Sequence, residues 1–215
     1  MKLYYRIMNL LFPPKCVLCG KILKKEELDL CRDCREGGPY YPAGKRKPQF
    51  LDSFVAVWYY EGYVRKSLLR YKFYGARHLA DSYGRLLAMK LLRETAGDFD
   101  CLTWVPVSRL RKLRRGYDQV ELLAVAAGKE LGLTPVPLIK KVRHNRPQSR
   151  IRDAAKRRGN VLGVYRETDR TAIEGKRIVL LDDILTTGAT VSEVTRVLKT
   201  AGAKEVHCAV MAAGK

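Results

Sequence analysis

The sequence predicts an α/β domain, a parallel sheet flanked by helices, behind a small cysteine-bearing N-terminal module. Three observations carry this expectation. Apolar, β-branched runs alternate with segments of helical periodicity, as in parallel sheets. The run Ile178 to Leu181 is unbroken and apolar, the pattern of a strand buried on both faces. Two Cys-x-x-Cys pairs, Cys16/Cys19 and Cys31/Cys34, stand ahead of every such run. A length of 215 residues suits one full domain plus an appendage. The expected division is a module with a leading helix at 1–38, a linker at 39–50 and the α/β domain at 51–215.

Residues 1–12 (MKLYYRIMNLLF) are mildly apolar, interrupted by Arg6 and Asn9 and stopped by Pro13 and Pro14. They are too short to span a bilayer and lack a small-residue cleavage site, so a short amphipathic helix is expected. With no targeting segment in view the expected location is cytoplasmic, where thiols stay reduced.

Cys16, Cys19, Cys31 and Cys34 supply the four thiolates of a tetrahedral structural Zn²⁺ site, and Gly20 permits the tight knuckle that turns amides toward sulfur. So short a module cannot hold a core of its own, and metal binding would supply its folding energy. A disulfide pair is the alternative, disfavoured in a reducing compartment. A thioredoxin-like role lacks the βαβ surroundings it needs. Four cysteines leave no open coordination position, so the metal is expected to be structural.

Gly37, Gly38, Pro39, Pro42, Gly44 and Pro48 mark the linker. Asp52 to Tyr60 is β-branched and aromatic, hence a strand. Helical periodicity covers Val64 to Tyr74 and Leu79 to Glu94, separated by an aromatic, basic turn at Lys72 to Gly75. Tyr71, Phe73 and Tyr74 in that setting either stack on bases or pack inside. Leu102 to Val107 reads as a strand, Val120 to Leu131 as a helix closed by Gly132, and Pro135 to Val142 and Val161 to Arg166 as further strands. A final strand is expected at Glu205 to Met211, with Cys101 and Cys208 as buried thiols.

Charge is the unusual quantity: Lys+Arg 42 against Asp+Glu 22 gives a net +20. Between Val105 and Asn160 there are 15 Lys/Arg against 4 Asp/Glu, a net +11. Such a surface attracts nucleic acid, anionic lipid or phosphorylated metabolites, the alternative being solubility alone. Arg109, Arg111, Lys112, Arg114 and Arg115 crowd one loop at the carboxyl edge of a strand. The segment 143–160 is basic and aperiodic, suited either to close over a substrate or to bind a nucleic-acid backbone.

The decisive stretch is Ile178 to Thr190, IVLLDDILTTGAT. A buried strand runs into Asp182 and Asp183. Thr186, Thr187, Gly188 and Thr190 follow, and a helix then opens with apolar Val191, Val194, Leu198 and Ala201 before Gly202 ends it. Loop amides, threonine hydroxyls and a helix N-terminus converge there as phosphate sites require, while two carboxylates can grip a neighbouring diol or a metal-bound hydroxyl. Neither the Walker pattern nor the dinucleotide fingerprint is present.

This stretch resembles the phosphoribosyl pyrophosphate (PRPP) motif of type I phosphoribosyltransferases. The resemblance implies that fold. It implies that Asp182 and Asp183 contact the ribose hydroxyls as the catalytic pair, and that Leu185, Thr186, Thr187, Gly188, Ala189 and Thr190 hold the 5′-phosphate. Taken with the four cysteines, the run VPVSRLRKLRRGYDQ and the series Arg143, Gln148, Arg157 or Arg158, and Asn160, the chain resembles the ComF family, phosphoribosyltransferase-like proteins linked to DNA uptake in natural competence, with the gluconate-utilisation protein GntX a close relative. The family pattern carries onto Pro106, Arg115, Gly116, Tyr117, Asp118 and Gln119, with Asp118 where Asn is more usual and Ser108 where Pro is.

By that resemblance Ser108, Arg109, Arg115 and Gly116 form a loop for the pyrophosphate and its Mg²⁺, and Arg143, Gln148, Arg157, Arg158 and Asn160 a basic lid. An enzyme of this kind displaces pyrophosphate at the ribose anomeric carbon through positioning and electrostatics. A non-catalytic relative would bind PRPP as a signal while its basic face handles single-stranded DNA beside a helicase or membrane channel. A glutamine amidophosphoribosyltransferase is not expected, because the chain starts Met1-Lys2 in place of an N-terminal cysteine.

Overall fold

In the computed structural model, which describes residues 13–45, 47–108, 110, 112, 113, 116–143 and 161–215, the elements run α1 (Arg32–Glu36), β1 (Ser53–Tyr59), α2 (Gly62–Phe73), α3 (Leu79–Glu94), β2 (Cys101–Trp104), α4 (Gln119–Leu131), β3 (Ile139–Lys141), β4 (Tyr165–Glu167), β5 (Arg177–Leu185), α5 (Ala189–Thr200) and β6 (Glu205–Ala213). Four strands make a parallel sheet in the order β1-β6-β5-β2. β5 lies inside it, and Ile178, Val179, Leu180 and Leu181 are all fully buried. Alternation along β5 divides these side chains between two cores. Val179 and Leu181 join Leu68, Tyr71, Tyr83, Leu87 and Leu123 from α2, α3 and α4. Ile178 and Leu180 meet Val191, Val194 and Leu198 of α5 on the opposite face. The sheet therefore carries helices on both sides, the doubly covered architecture the apolar runs require. Gly84 lets α3 approach α4 closely, since a Cβ there would stand 2.4 Å from the Ala126 Cβ.

Several expected boundaries move, each for a backbone reason. β2 stops at Trp104, short of Val107, because Pro106 has no amide and the Val107 amide is taken by the Asp118 Oδ2 at 3.1 Å. After α4, where Gly132 (φ 68) closes the helix, the chain makes one parallel bridge, Leu102↔Pro135. Pro135 and Pro137 cannot extend that ladder, and only Ile139–Lys141 forms a strand, antiparallel to β4 outside the main sheet. Val161 to Gly163 is a turn ahead of β4, with Gly163 at φ 67 and its amide donating to the Glu193 Oε1 of α5 at 2.8 Å. β5 and β6 both run longer than expected because they pair to the end, Leu185 with Ala213. Cys208 is fully buried, whereas Cys101 keeps partial exposure at the start of β2.

The cysteine module packs on α2 and α3. Val17, Leu18, Leu23 and Leu30 belong to the same core as Trp58, Leu68 and Tyr83. The Ser67 hydroxyl donates to the Val17 carbonyl, and the Arg70 Nη2 donates to the Val17 and Leu18 carbonyls at 3.2 Å each. Residues 39–41 run beside β1, where the Tyr41 amide donates to the Val57 carbonyl at 3.0 Å and the Tyr59 amide to the Pro39 carbonyl at 2.8 Å. The leading segment 1–12 lies outside the described residues.

Candidate functional site

The acids occupy the sixth and seventh positions of nine-residue β5, with the strand continuing to Leu185. Alternation sends Asp183 to the face shared by α2 and α4, where it is 4% exposed. There its Oδ2 accepts from the Lys72 ammonium of α2 at 2.6 Å and from the Gln119 Nε2 of α4 at 3.2 Å. The Asp183 amide donates to the Asp182 Oδ1 at 2.8 Å, a bond across the one peptide unit that joins the two residues. Asp182 keeps partial solvent contact, yet burial, and then the Asp183 charge, push its carboxyl well above the usual carboxylate range, with Lys72 pulling the other way.

Behind Lys72 the end of α2 is pinned. The Tyr71 hydroxyl donates to the Gln119 carbonyl at 2.5 Å, and the Tyr117 hydroxyl to the Tyr71 carbonyl at 2.8 Å. Burial first, and then Asp183, raise the Tyr71 phenol, so it stays a donor. Of the aromatics in that segment, Tyr71 is interior while Phe73 and Tyr74 are exposed.

Asp118 explains how the basic loop is returned to the sheet. Its Oδ1 accepts from the amides of Val120 at 2.9 Å and Glu121 at 3.2 Å, capping α4, while its Oδ2 holds the Val107 amide. Burial raises the Asp118 carboxyl against the pull of those amides. An Asp supplies both acceptors here, whereas an Asn could cap the helix with its oxygen but would turn a second donor toward the Val107 amide. Ser108 is buried, and its carbonyl accepts from the Lys112 amide at 3.0 Å. Gly116 adopts φ 73, and the Arg77 guanidinium lies 4.3 Å from the centre of the neighbouring Tyr117 ring. Arg109 and Arg115 lie outside the described residues.

Beyond β5, Thr186 and Thr187 are exposed, Gly188 turns with φ 72, and α5 opens at Ala189 with no side chain capping its first amides. Gly188 is required twice over: the left-handed turn suits glycine, and a Cβ would press on the Pro48 Cγ at 3.1 Å. Leu185 packs on the α5-side core, and Thr190 is half-buried in the first turn. Uncapped amides behind a glycine turn thus stand downstream of two carboxyls, donors suited to an anion beside acceptors suited to hydroxyls. Arg143 is exposed at the end of β3, and Gln148, Arg157, Arg158 and Asn160 lie outside the described residues. Lys72 and the Gln119 contact were absent from the sequence reading of the site. The signal available was weak: a basic residue in an aromatic turn, and a glutamine beside a capping residue.

The sulfurs of Cys16, Cys19, Cys31 and Cys34 all lie within 4.8 Å of one another, with Cys19 and Cys31 at 3.7 Å. Zn–S bonds of about 2.3 Å in a tetrahedron place sulfurs about 3.8 Å apart, so the residues fit zinc. Burial pushes the Cys16 thiol up, but the amides of Cys19, Cys31 and Leu18 outweigh it and bring the thiol down to about 7. Burial and the neighbouring sulfurs raise Cys34, a cost that a cation would relieve. Gly20, at φ 80, donates its amide to the Cys16 carbonyl at 2.9 Å and closes the knuckle.

A phosphoribosyl transferase domain matches residues 123–215, and a double zinc ribbon domain matches residues 7–43. Competence protein ComFC of Streptococcus pneumoniae is 29% identical over 89% of this chain and 96% of its own length. Competence protein F of Haemophilus influenzae is 25% identical, and the DNA utilization protein YhgH of Salmonella typhi 28% identical, each over 89% of this chain and 87% of its own length. Among solved structures, a glutamine PRPP amidotransferase from B. subtilis aligns at 24% identity with a TM-score of 0.44, covering 66% of this chain, which spans only 30% of that enzyme. Among the described residues, no helix is long and apolar enough to cross a membrane. With its zinc ribbon joined to a type I phosphoribosyltransferase fold, the chain is similar along nearly nine-tenths of its length to the competence proteins ComFC and F and to the DNA utilization protein YhgH.

Proposed function

We propose that the chain binds PRPP with Mg²⁺ at Asp182, Asp183 and the 185–190 loop, and that it acts in DNA uptake during competence, with single-stranded DNA held on its basic face. The observation that carries this reading is the adjacency of two carboxyls to an uncapped helix N-terminus behind Gly188. The carboxyls suit vicinal hydroxyls of a ribose, and the amides suit its 5′-phosphate. The Ser108 to Gly116 loop would take the pyrophosphate with its Mg²⁺, and the basic 143–160 segment would close over it. The names of the relatives, competence and DNA utilization proteins, support the biological role. Transfer of ribose 5-phosphate to an acceptor in nucleotide or sugar metabolism is the second reading, favoured by the presence of both acids, which a phosphate cradle alone does not need.

Incubation of the pure protein with PRPP and Mg²⁺, with and without single-stranded DNA, separates the two. Binding without pyrophosphate release is the expected result; sustained release that scales with enzyme, with water or the added DNA taking up the ribose 5-phosphate, would move the assignment to a transferase.

A further inference from the structure

The Lys72 ammonium contacts the Asp183 carboxylate at 2.6 Å, and its placement is specific. Its root is rigid: within one turn of α2, Arg70 is tied to the zinc ribbon carbonyls, Tyr71 to α4, and the Tyr71 carbonyl to Tyr117. The side chain itself is 24% exposed, against 6% for Asp183, so a movable ammonium reaches from the crevice onto a buried carboxylate. It also sits at the carbonyl end of α2, where a cation is favoured.

Two adjacent carboxyls are a poor receptor for a ligand as negative as PRPP unless something offsets them. A buried carboxylate stripped of its partner is costly. We propose that Lys72 is a positioning residue of the PRPP site, which holds Asp183 aimed and charge-compensated while the site is empty and exchanges onto the phosphate oxygens when the ribose hydroxyls take its place. The proposal rests on the PRPP reading above. It differs from a plain structural ion pair in requiring the Lys72 contact to break on binding.

The groups facing the pair bear on the test. Lys72 and Tyr71 face it from α2, Asp118 from the α4 end, and Cys208 from β6. With Lys72 gone, Asp182 loses the neighbouring charge that lowers its pKa, so the carboxyl pair holds more proton and must release it when PRPP binds.

Calorimetric titration of full-length protein with Mg²⁺ and PRPP, in buffers of different ionisation enthalpy, reads affinity and proton release together. Lys72→Met is expected to weaken binding by about tenfold to a hundredfold, the equivalent of a lost charged hydrogen bond, and to raise the protons released. Lys72→Arg should restore most of both. Lys72→Met combined with Asp183→Asn should recover stability without affinity, and this pair keeps the test sharp if Lys72→Met alone folds poorly. Wild-type binding with unchanged affinity and proton count in Lys72→Met overturns the inference and leaves the PRPP site standing. Failure of the wild-type protein to bind PRPP overturns both.

Discussion

Arg85 of α3 grips Asp29 of the zinc ribbon through two parallel bonds, Nε to Oδ2 at 3.0 Å and Nη2 to Oδ1 at 2.5 Å. Asp29 is 6% exposed, holds φ 62, and accepts the Val17 amide on its carbonyl at 2.9 Å, so this ion pair joins the Ser67 and Arg70 bonds in fastening the knuckle to the larger domain. Arg85→Met should therefore cost about 2 to 3 kcal/mol, toward the lower end for a buried pair because Arg85 itself is partly exposed. Denaturant unfolding measures this, and a loss under about 0.5 kcal/mol would mean that apolar contacts and the Ser67 and Arg70 bonds hold the ribbon without it.

Purification without added metal should leave one zinc per chain, measured by elemental analysis. Cys34→Ser should abolish it and expose the Val17, Leu18 and Leu30 surface, because the metal supplies folding energy that so short a ribbon lacks. Metal-free protein with a folded N-terminus and a Cys16–Cys19 disulfide would contradict the assignment.

Asp182 carries a raised carboxyl pKa in the fold, so its contribution to stability is full below the ordinary carboxylate pKa of about 3.9 and is lost as pH rises through the raised value. Asp182→Asn keeps an acceptor for the Asp183 amide and removes the charge. Its melting temperature should exceed that of the wild type at about pH 9 and converge with it at about pH 4. An equal offset at both would show that the pair does not titrate as described.

Charge reversal at Arg111 and Arg114 should flatten the log-affinity against log-salt slope for single-stranded DNA by about 1 to 1.5, at roughly 0.7 per phosphate contact. Those residues lie in the segment of net +11. PRPP with Mg²⁺ should compete at least partly. Fluorescent oligonucleotide binding across a salt series reads both, and an unchanged slope would assign the basic loops to small anions alone.

The buried strand, the adjacent acids, the glycine turn into α5 and the clustered cysteines were legible in the sequence because each is written contiguously: an apolar run, two acids, a small-residue turn, paired cysteines. What was not legible depends on contacts across the chain. Lys72 reads as part of a basic turn, since nothing nearby announces Asp183 as its partner. Val17 and Leu18 read as spacers between ligands, yet they are core residues against α2. The strands drawn through Pro106, Pro135 and Pro137 failed where proline withholds the amide that a ladder needs.

The most direct test of the central claim is calorimetric titration of PRPP with Mg²⁺ into the wild-type protein, Asp183→Ala and Thr187→Val. Asp183→Ala should weaken binding by about 1.5 to 3 kcal/mol, the range for a hydrogen bond to a charged group, and Thr187→Val should weaken it as well. Wild-type affinity retained in both variants would contradict the claim and place PRPP elsewhere on the protein.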